Sequence, residues 1–221
     1  MSSPAEFAVA AGVLTLIPGP DTLLTIRTAV VAGRGTAVAA AAGIGTALLG
    51  WGGAAGLGLT AALAADPDLY LALRWAGAAY LAWLGLRSIV HGGRWPVAET
   101  GEGGEGGEPA TDEPATVQPA RGQRLGPAYA RGIITNASNP KVGIFYLALF
   151  PQFIPPGADV LRWSILLASI HAAESLAWLT IVTVLAGRLG RALRRRRTRR
   201  WADGVSGAAF LAFAARLAAG G

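Results

Sequence analysis

Two short stretches of this chain place ionisable groups where a helix must stop. Pro18-Gly19-Pro20-Asp21 interrupts an apolar run from Phe7 to about Val31, and Asn139-Pro140-Lys141 interrupts another far downstream. The two share a grammar. Proline is favoured at the first position of a helix, where its missing N–H costs nothing, so Gly19 and Asn139 are the expected N-caps. Each break should therefore start a half-helix whose free N–H groups and positive dipole end suit an anion, such as an amino acid's carboxylate. Asp21 would complement a substrate ammonium group or carry a proton. Lys141 would hold a carboxylate or pair with Asp21. The plainer alternative is a buried Asp21–Lys141 ion pair that only fixes helix packing.

A third apolar run carries His171 and Glu174, three residues apart and so on one helix face. A proton relay fits them, because histidine titrates near neutral pH; a structural His–Glu hydrogen bond fits equally. His-x-x-Glu without a third ligand nearby does not make a metal site, and no cofactor is expected. Thr15, Thr22, Asn136 and Gln152 are second-line contacts.

These groups must be held by membrane helices. Apolar residues make up 52% of the chain and charged residues 14%, with a mean hydropathy of +0.44. Soluble domains are nearer a quarter charged, so the chain reads as an all-α integral membrane protein. No cysteine is present, which excludes disulfides and thiolate metal sites. No cleaved leader is expected, since the first apolar run lacks a basic start and an Ala-x-Ala exit. Six segments approach the ~20 residues that a spanning helix needs: about 5–31, 36–64, 69–90, 127–152, 160–187 and 202–220. Proline breaks the first and the fourth. In lipid, freed backbone groups and charges are tolerated only where they face protein or a water-filled cavity. The two breaks should therefore meet near the bilayer midplane. The second segment is rich in glycine (Gly43, Gly45, Gly50, Gly52, Gly53, Gly56, Gly58), which reads as close helix packing.

Between segments three and four, His91 to Gln123 mixes glycine and proline with Glu99, Glu102, Glu105, Glu108, Asp112 and Glu113. Such a composition cannot bury enough apolar surface to fold and is expected to be a disordered loop. Its glycines are not a phosphate cradle, since no Gly-Lys-Ser/Thr follows. The formal net charge of +6 comes almost wholly from arginine. Arg27 and Arg34 lie in loop 1–2; Arg87, Arg94, Arg121, Arg124 and Arg131 in loop 3–4; and Arg188, Arg191, Arg194 to Arg197, Arg199 and Arg200 in loop 5–6. The positive-inside rule puts these loops in the cytoplasm and both termini outside. The last cluster reads as contact with anionic lipid head groups, not nucleic acid, because it lies between two spans.

Segment three contains Gly-Ala-Ala-Tyr-Leu-Ala-Trp (77–83) and segment six Gly-Ala-Ala-Phe-Leu-Ala-Phe (207–213), identical at five of seven positions. The broken segments hold the same rank in each half. Each half has an odd number of spans, so the halves should be inverted repeats: residues 1–90 and 127–221, joined by the acidic loop 91–126. Inverted repeats with broken helices are a common build of secondary transporters.

At these residues the chain resembles the LysE/RhtB superfamily of amino-acid exporters. The resemblance rests on Pro18-Gly19-Pro20-Asp21-Thr22, the Gly-Ala-Ala-Tyr-Leu-Ala-Trp-Leu-Gly run of segment three, and Asn139-Pro140-Lys141 followed by Pro151-Gln152-Phe153. It covers the chain except loop 91–123, where the acidic insert departs from the family's plainer loop. It implies a multi-pass plasma (inner) membrane protein that exports an amino acid or derivative from the cytoplasm by proton antiport. The family spans basic, neutral and small polar substrates, so the resemblance does not choose among them. A homo-oligomer is compatible with these features. A membrane-embedded enzyme is disfavoured by the lack of a Ser/His/Asp set, of His-Glu-x-x-His and of paired acids in polar surroundings. A non-transporting scaffold binding partners through the arginine-rich loop is the other alternative.

Overall fold

A computed structural model describes residues 3–65, 67–90, 124–194 and 196–219. The acidic stretch 91–123 lies outside the described residues. All described regular structure is helical: α1 (Pro4–Leu16), α2 (Pro20–Val31), α3 (Arg34–Ala65), α4 (Pro67–Val90), α5 (Leu125–Ala137), α6 (Pro140–Ile144), α7 (Val160–Arg194) and α8 (Arg196–Ala219). α6 runs on into a π turn (Phe145–Leu149) and a 3-10 turn (Phe150–Phe153). α1 and α2 meet at a bend of 54°. α7 and α8 extend into the arginine cluster, so Arg188, Arg191 and Arg197 lie on helices and not in an open loop.

Three of the described helices are long and apolar enough to cross a membrane, within Arg34–Gly58, Val160–Ala192 and Arg200–Ala219; the bent α1–α2 pair makes a fourth. α4 has 24 residues, a spanning length. The fourth expected segment is cut into pieces too short to cross singly. The outer surface is apolar, as lipid requires: Val9, Leu57, Ile134, Val184 and Trp201 are all exposed.

Small residues let these helices touch. α3 packs on α5 and α7, and α4 on α8. At the α3–α5 crossing the contact is reciprocal: a methyl on Gly43 would overlap the Tyr129 carbonyl, and one on Gly132 would overlap the Ala40 carbonyl. Gly85 and Gly207 oppose each other in the same way, with built methyls 2.9 and 2.7 Å from the partner's carbonyl. Along α3, Gly45, Gly52 and Gly56 face Leu176, Ala168 and Ser164 of α7, whereas Gly50, Gly53 and Gly58 face open space. Close packing thus accounts for four of the seven glycines between Gly43 and Gly58. Lipid supplies no hydrophobic drive between helices, so close packing of this kind is what holds them.

The main core is aromatic, built on Phe7, Phe145, Tyr146, Phe150 and Phe153. A smaller cluster, Ile26, Val182 and Ala186, lies where α2 meets α7. Glu6 in the first turn of α1 forms a 3.6 Å ion pair with Arg216 in the last turn of α8, so the two chain ends lie on one side. The Arg216 guanidinium also sits over the Phe153 ring, 5.2 Å from its centroid.

Candidate functional site

The two breaks meet, and they lock together crosswise. A helix end leaves its last carbonyls without partners, and α1 ends inside the protein. The Lys141 ammonium takes that role, donating to the Leu14 carbonyl at 3.1 Å and the Ile17 carbonyl at 3.0 Å. In return, the second break supplies amides to the first. Asn136 Nδ2 and Asn139 Nδ2 donate to Asp21 Oδ2 at 3.0 and 3.2 Å. Asn139 also caps its own half-helix, its Oδ1 accepting from the Lys141 backbone N–H at 3.1 Å. Gly19, the extended N-cap of α2, makes no side-chain cap. Its missing side chain leaves room instead: a methyl there would sit 3.2 Å from Lys141 Nζ.

Asp21 and Lys141 therefore do not form the direct ion pair offered as the plain alternative. The ion pairs Arg162–Asp159 and Arg216–Glu6 lie elsewhere in the protein. The orphan carbonyls of α1 engage the ammonium, and two asparagines engage one oxygen of the carboxylate. The other oxygen, Asp21 Oδ1, is buried with no partner, as is Asn136 Oδ1. An unpartnered buried polar atom costs about 1–3 kcal/mol.

Asp21, Asn136 and Lys141 line one cavity with Thr15, Thr22 and the apolar side chains of Leu14, Ile44, Leu48 and Val142. Its far wall is one face of α7, contributing His171, Ser175, Trp178 and Leu179. The space open to the centre of a water-sized molecule is about 20 Å³, room for a water and none for an amino acid. Thr15 and Ser175 hydroxyls lie 3.3 Å apart across the cavity wall. His171 Nδ1 is 3.2 Å from the Tyr146 hydroxyl, and its ring stacks on Tyr146 with centroids 5.7 Å apart. Trp51 closes the neighbouring side, stacked on Tyr146, with its Nε1 3.5 Å from the Asn136 carbonyl.

Of the residues singled out in the sequence, Asp21, Lys141 and His171 line the cavity, and Asn139 reaches it through Asp21. Pro18, Gly19, Pro20 and Pro140 shape the breaks: Pro20 and Pro140 open their half-helices. Glu174 is not part of the cavity wall. It lies beside Gly12 of α1, with Oε2 buried and unpartnered. The His171–Glu174 hydrogen bond, one of the two readings of that pair, gives way to His171–Tyr146, the tyrosine lying on the π turn. Thr15, Thr22 and Asn136 are where second-line contacts were expected, whereas Gln152 lies outside the wall with both amide atoms unpartnered. Ser175, Trp178 and Tyr146 were missed. His171, Ser175 and Trp178 recur at i, i+4 and i+7, a helix-face spacing that could have found the last two.

The sequence model for the LysE type translocator family matches residues 13–221. The threonine efflux protein of Salmonella typhi is 28% identical over 206 residues, covering 93% of this chain and 92% of the relative. That of Escherichia coli (strain K12) is 28% identical over 209 residues, with the same coverage. The homoserine/homoserine lactone efflux protein of Salmonella typhimurium is 32% identical over 176 residues, covering 80% of this chain and 76% of the relative. No solved structure matches the chain.

Proposed function

The chain belongs to the LysE type translocator family, and we propose that it is a secondary exporter of a small amino acid or amino-acid derivative of the threonine or homoserine kind. The family is one of translocators, not enzymes. The observation that carries the proposal is Asp21. One of its oxygens is held by Asn136 and Asn139, and the other is buried without a partner beside a cavity that both breaks line. A carboxylate held in this way is ready for an ammonium group or a proton. The relatives named for threonine and homoserine efflux support the substrate class. So does a cavity with one acid, small hydroxyls and short apolar walls.

In this reading the six apolar segments are six spans in two inverted three-helix repeats, residues 1–90 and 127–221, with the first and fourth broken by proline. Two features favour it: the Glu6–Arg216 pair brings the chain ends to one side, as an even number of crossings requires, and α3 with α7 and α4 with α8 pair elements of equal rank in the two halves. The arginine-bearing loops face the cytoplasm and anionic lipid, and the termini face out. The described form is a contracted one, with room for a water and none for an amino acid. Export begins when the α2–α7 side opens to admit substrate to Asp21. It ends when the aromatic side opens, and a proton entering on Asp21 displaces the ammonium and returns the site inward. His171 and Glu174 are the further groups placed to handle that proton.

Purified protein in liposomes loaded with L-threonine or L-homoserine tests this. Efflux that rises with an imposed pH gradient and stops when the gradient is collapsed is the expected result. No flux of either amino acid under any gradient would contradict it.

A further inference from the structure

Holding the substrate's carboxylate was one of the two roles read for Lys141, but the Leu14 and Ile17 carbonyls engage two of its three ammonium hydrogens and leave it one. The carboxylate of a zwitterion in this cavity needs another donor. Trp178 lines the same cavity on α7, and its indole N–H is buried with no acceptor. Indole nitrogens normally find a partner when buried. This one is a donor only, so it cannot serve an ammonium group and answers only an acceptor. The ring is held from two sides: it packs against the main aromatic core and against the Ile26, Val182 and Ala186 cluster. The other unpartnered polar atoms that the wall residues contribute, Asp21 Oδ1 and Asn136 Oδ1, are both acceptors and belong to α2 and α5. One free donor on α7 and two free acceptors on the α2 and α5 side match the two ends of an amino acid.

We infer that Trp178 is a specificity residue whose Nε1–H donates to the carboxylate of the transported amino acid, while Asp21 and Asn136 take its ammonium group. The inference rests on the exporter reading above. A hydrogen bond to a charged group is stronger than one to a neutral acceptor, so Trp178 makes the site prefer an acid over its amide. Its ring also forms the wall between the cavity and the small cluster at the α2–α7 contact.

Counterflow in proteoliposomes tests this, with a mixture of the common L-amino acids to establish flux and then L-threonine against L-threoninamide. Trp178→Phe keeps a ring and removes the donor. Its KM for L-threonine should rise roughly 10-fold or more, with maximal rate changed far less, and the preference for acid over amide should collapse. Trp178→His, smaller again but with a ring N–H, should recover part of that preference. Should the phenylalanine variant fail to fold, the histidine variant and the wild-type acid-to-amide ratio carry the test: a wild type that does not prefer the acid overturns the inference. So does a Trp178→Phe protein whose KM and preference stay within twofold of wild type, and so do Phe and His variants that are equally impaired, which would mean ring size alone matters. No counterflow of any amino acid by the wild type would contradict the exporter reading itself and overturn both.

Discussion

The two breaks are written alike and built differently. Each has a capping residue, a proline at the first helical position and a charged residue next. At the first break the cap is Gly19, which has no side chain to bond, and the helix beyond it continues regularly for 12 residues. At the second the cap is Asn139, which bonds both its own half-helix and Asp21, and the chain beyond turns from α through π to 3-10. The first break thus offers a carboxylate and open space, while the second supplies nearly all the hydrogen bonds that hold it. One break carries the function and the other braces it. A proline and glycine motif does not fix the role of a broken helix; the side chain at its cap and the carbonyls it leaves behind do.

The comparison predicts its largest effect at Lys141. Lys141→Met leaves the Leu14 and Ile17 carbonyls buried and unpartnered, at about 1–3 kcal/mol each. It should sharply lower the melting temperature in detergent. Because Lys141 bonds carbonyls and makes no direct ion pair with Asp21, adding Asp21→Asn should not restore that loss; a double variant as stable as wild type would return the breaks to a simple ion pair. Next comes Asn139→Ala, which removes a cap worth about 1 kcal/mol together with a charge-assisted bond to Asp21. Asn136→Ala removes only the bond, about 1.5–3 kcal/mol before relaxation, and should destabilise less than Asn139→Ala in the same melt. The reverse order would make the bracing role of the cap wrong.

Much of this was legible in the sequence. Pro18, Gly19, Pro20 and Asn139-Pro140 mark the helix ends because proline and glycine act through the backbone alone, whatever the tertiary context. The glycines of α3 announced close packing, and four of them provide it. The direct Asp21–Lys141 pair stood among the alternatives because opposite charges are easily matched on paper, while the carbonyls that α1 leaves behind carry no mark in the sequence. A helix that stops inside a membrane protein leaves carbonyls that compete for the nearest cation. The π turn at Phe145–Leu149 left no signal, since nothing in Phe-Tyr-Leu-Ala-Leu disfavours an ordinary helix, and with it went the His171–Tyr146 contact. Trp178 was passed over because a tryptophan in an apolar helix reads as core or as a membrane-interface anchor, and only its unpartnered nitrogen sets it apart.

Smaller effects sharpen the contrast. Gly19→Ala should cost under about 1 kcal/mol in stability, since glycine supplies no capping bond, yet it should slow transport by pressing on Lys141. A melt and a flux assay on one preparation would separate the two, and equal effects on both would count against Gly19 as a spacer. Pro140→Ala, at an exposed first helical position, should change stability by only about 0.5 kcal/mol. A loss comparable to Asn139→Ala would shift the bracing role from the asparagine to the proline.

The central claim is that the first break carries the function through the Asp21 carboxylate. Asp21→Asn keeps the shape and removes the charge. Measured in proteoliposomes with an imposed pH gradient, the variant should melt within a few degrees of wild type and show no gradient-driven efflux of L-threonine or L-homoserine. Efflux at the wild-type rate would contradict the claim and leave Asp21 a structural residue held between two asparagines.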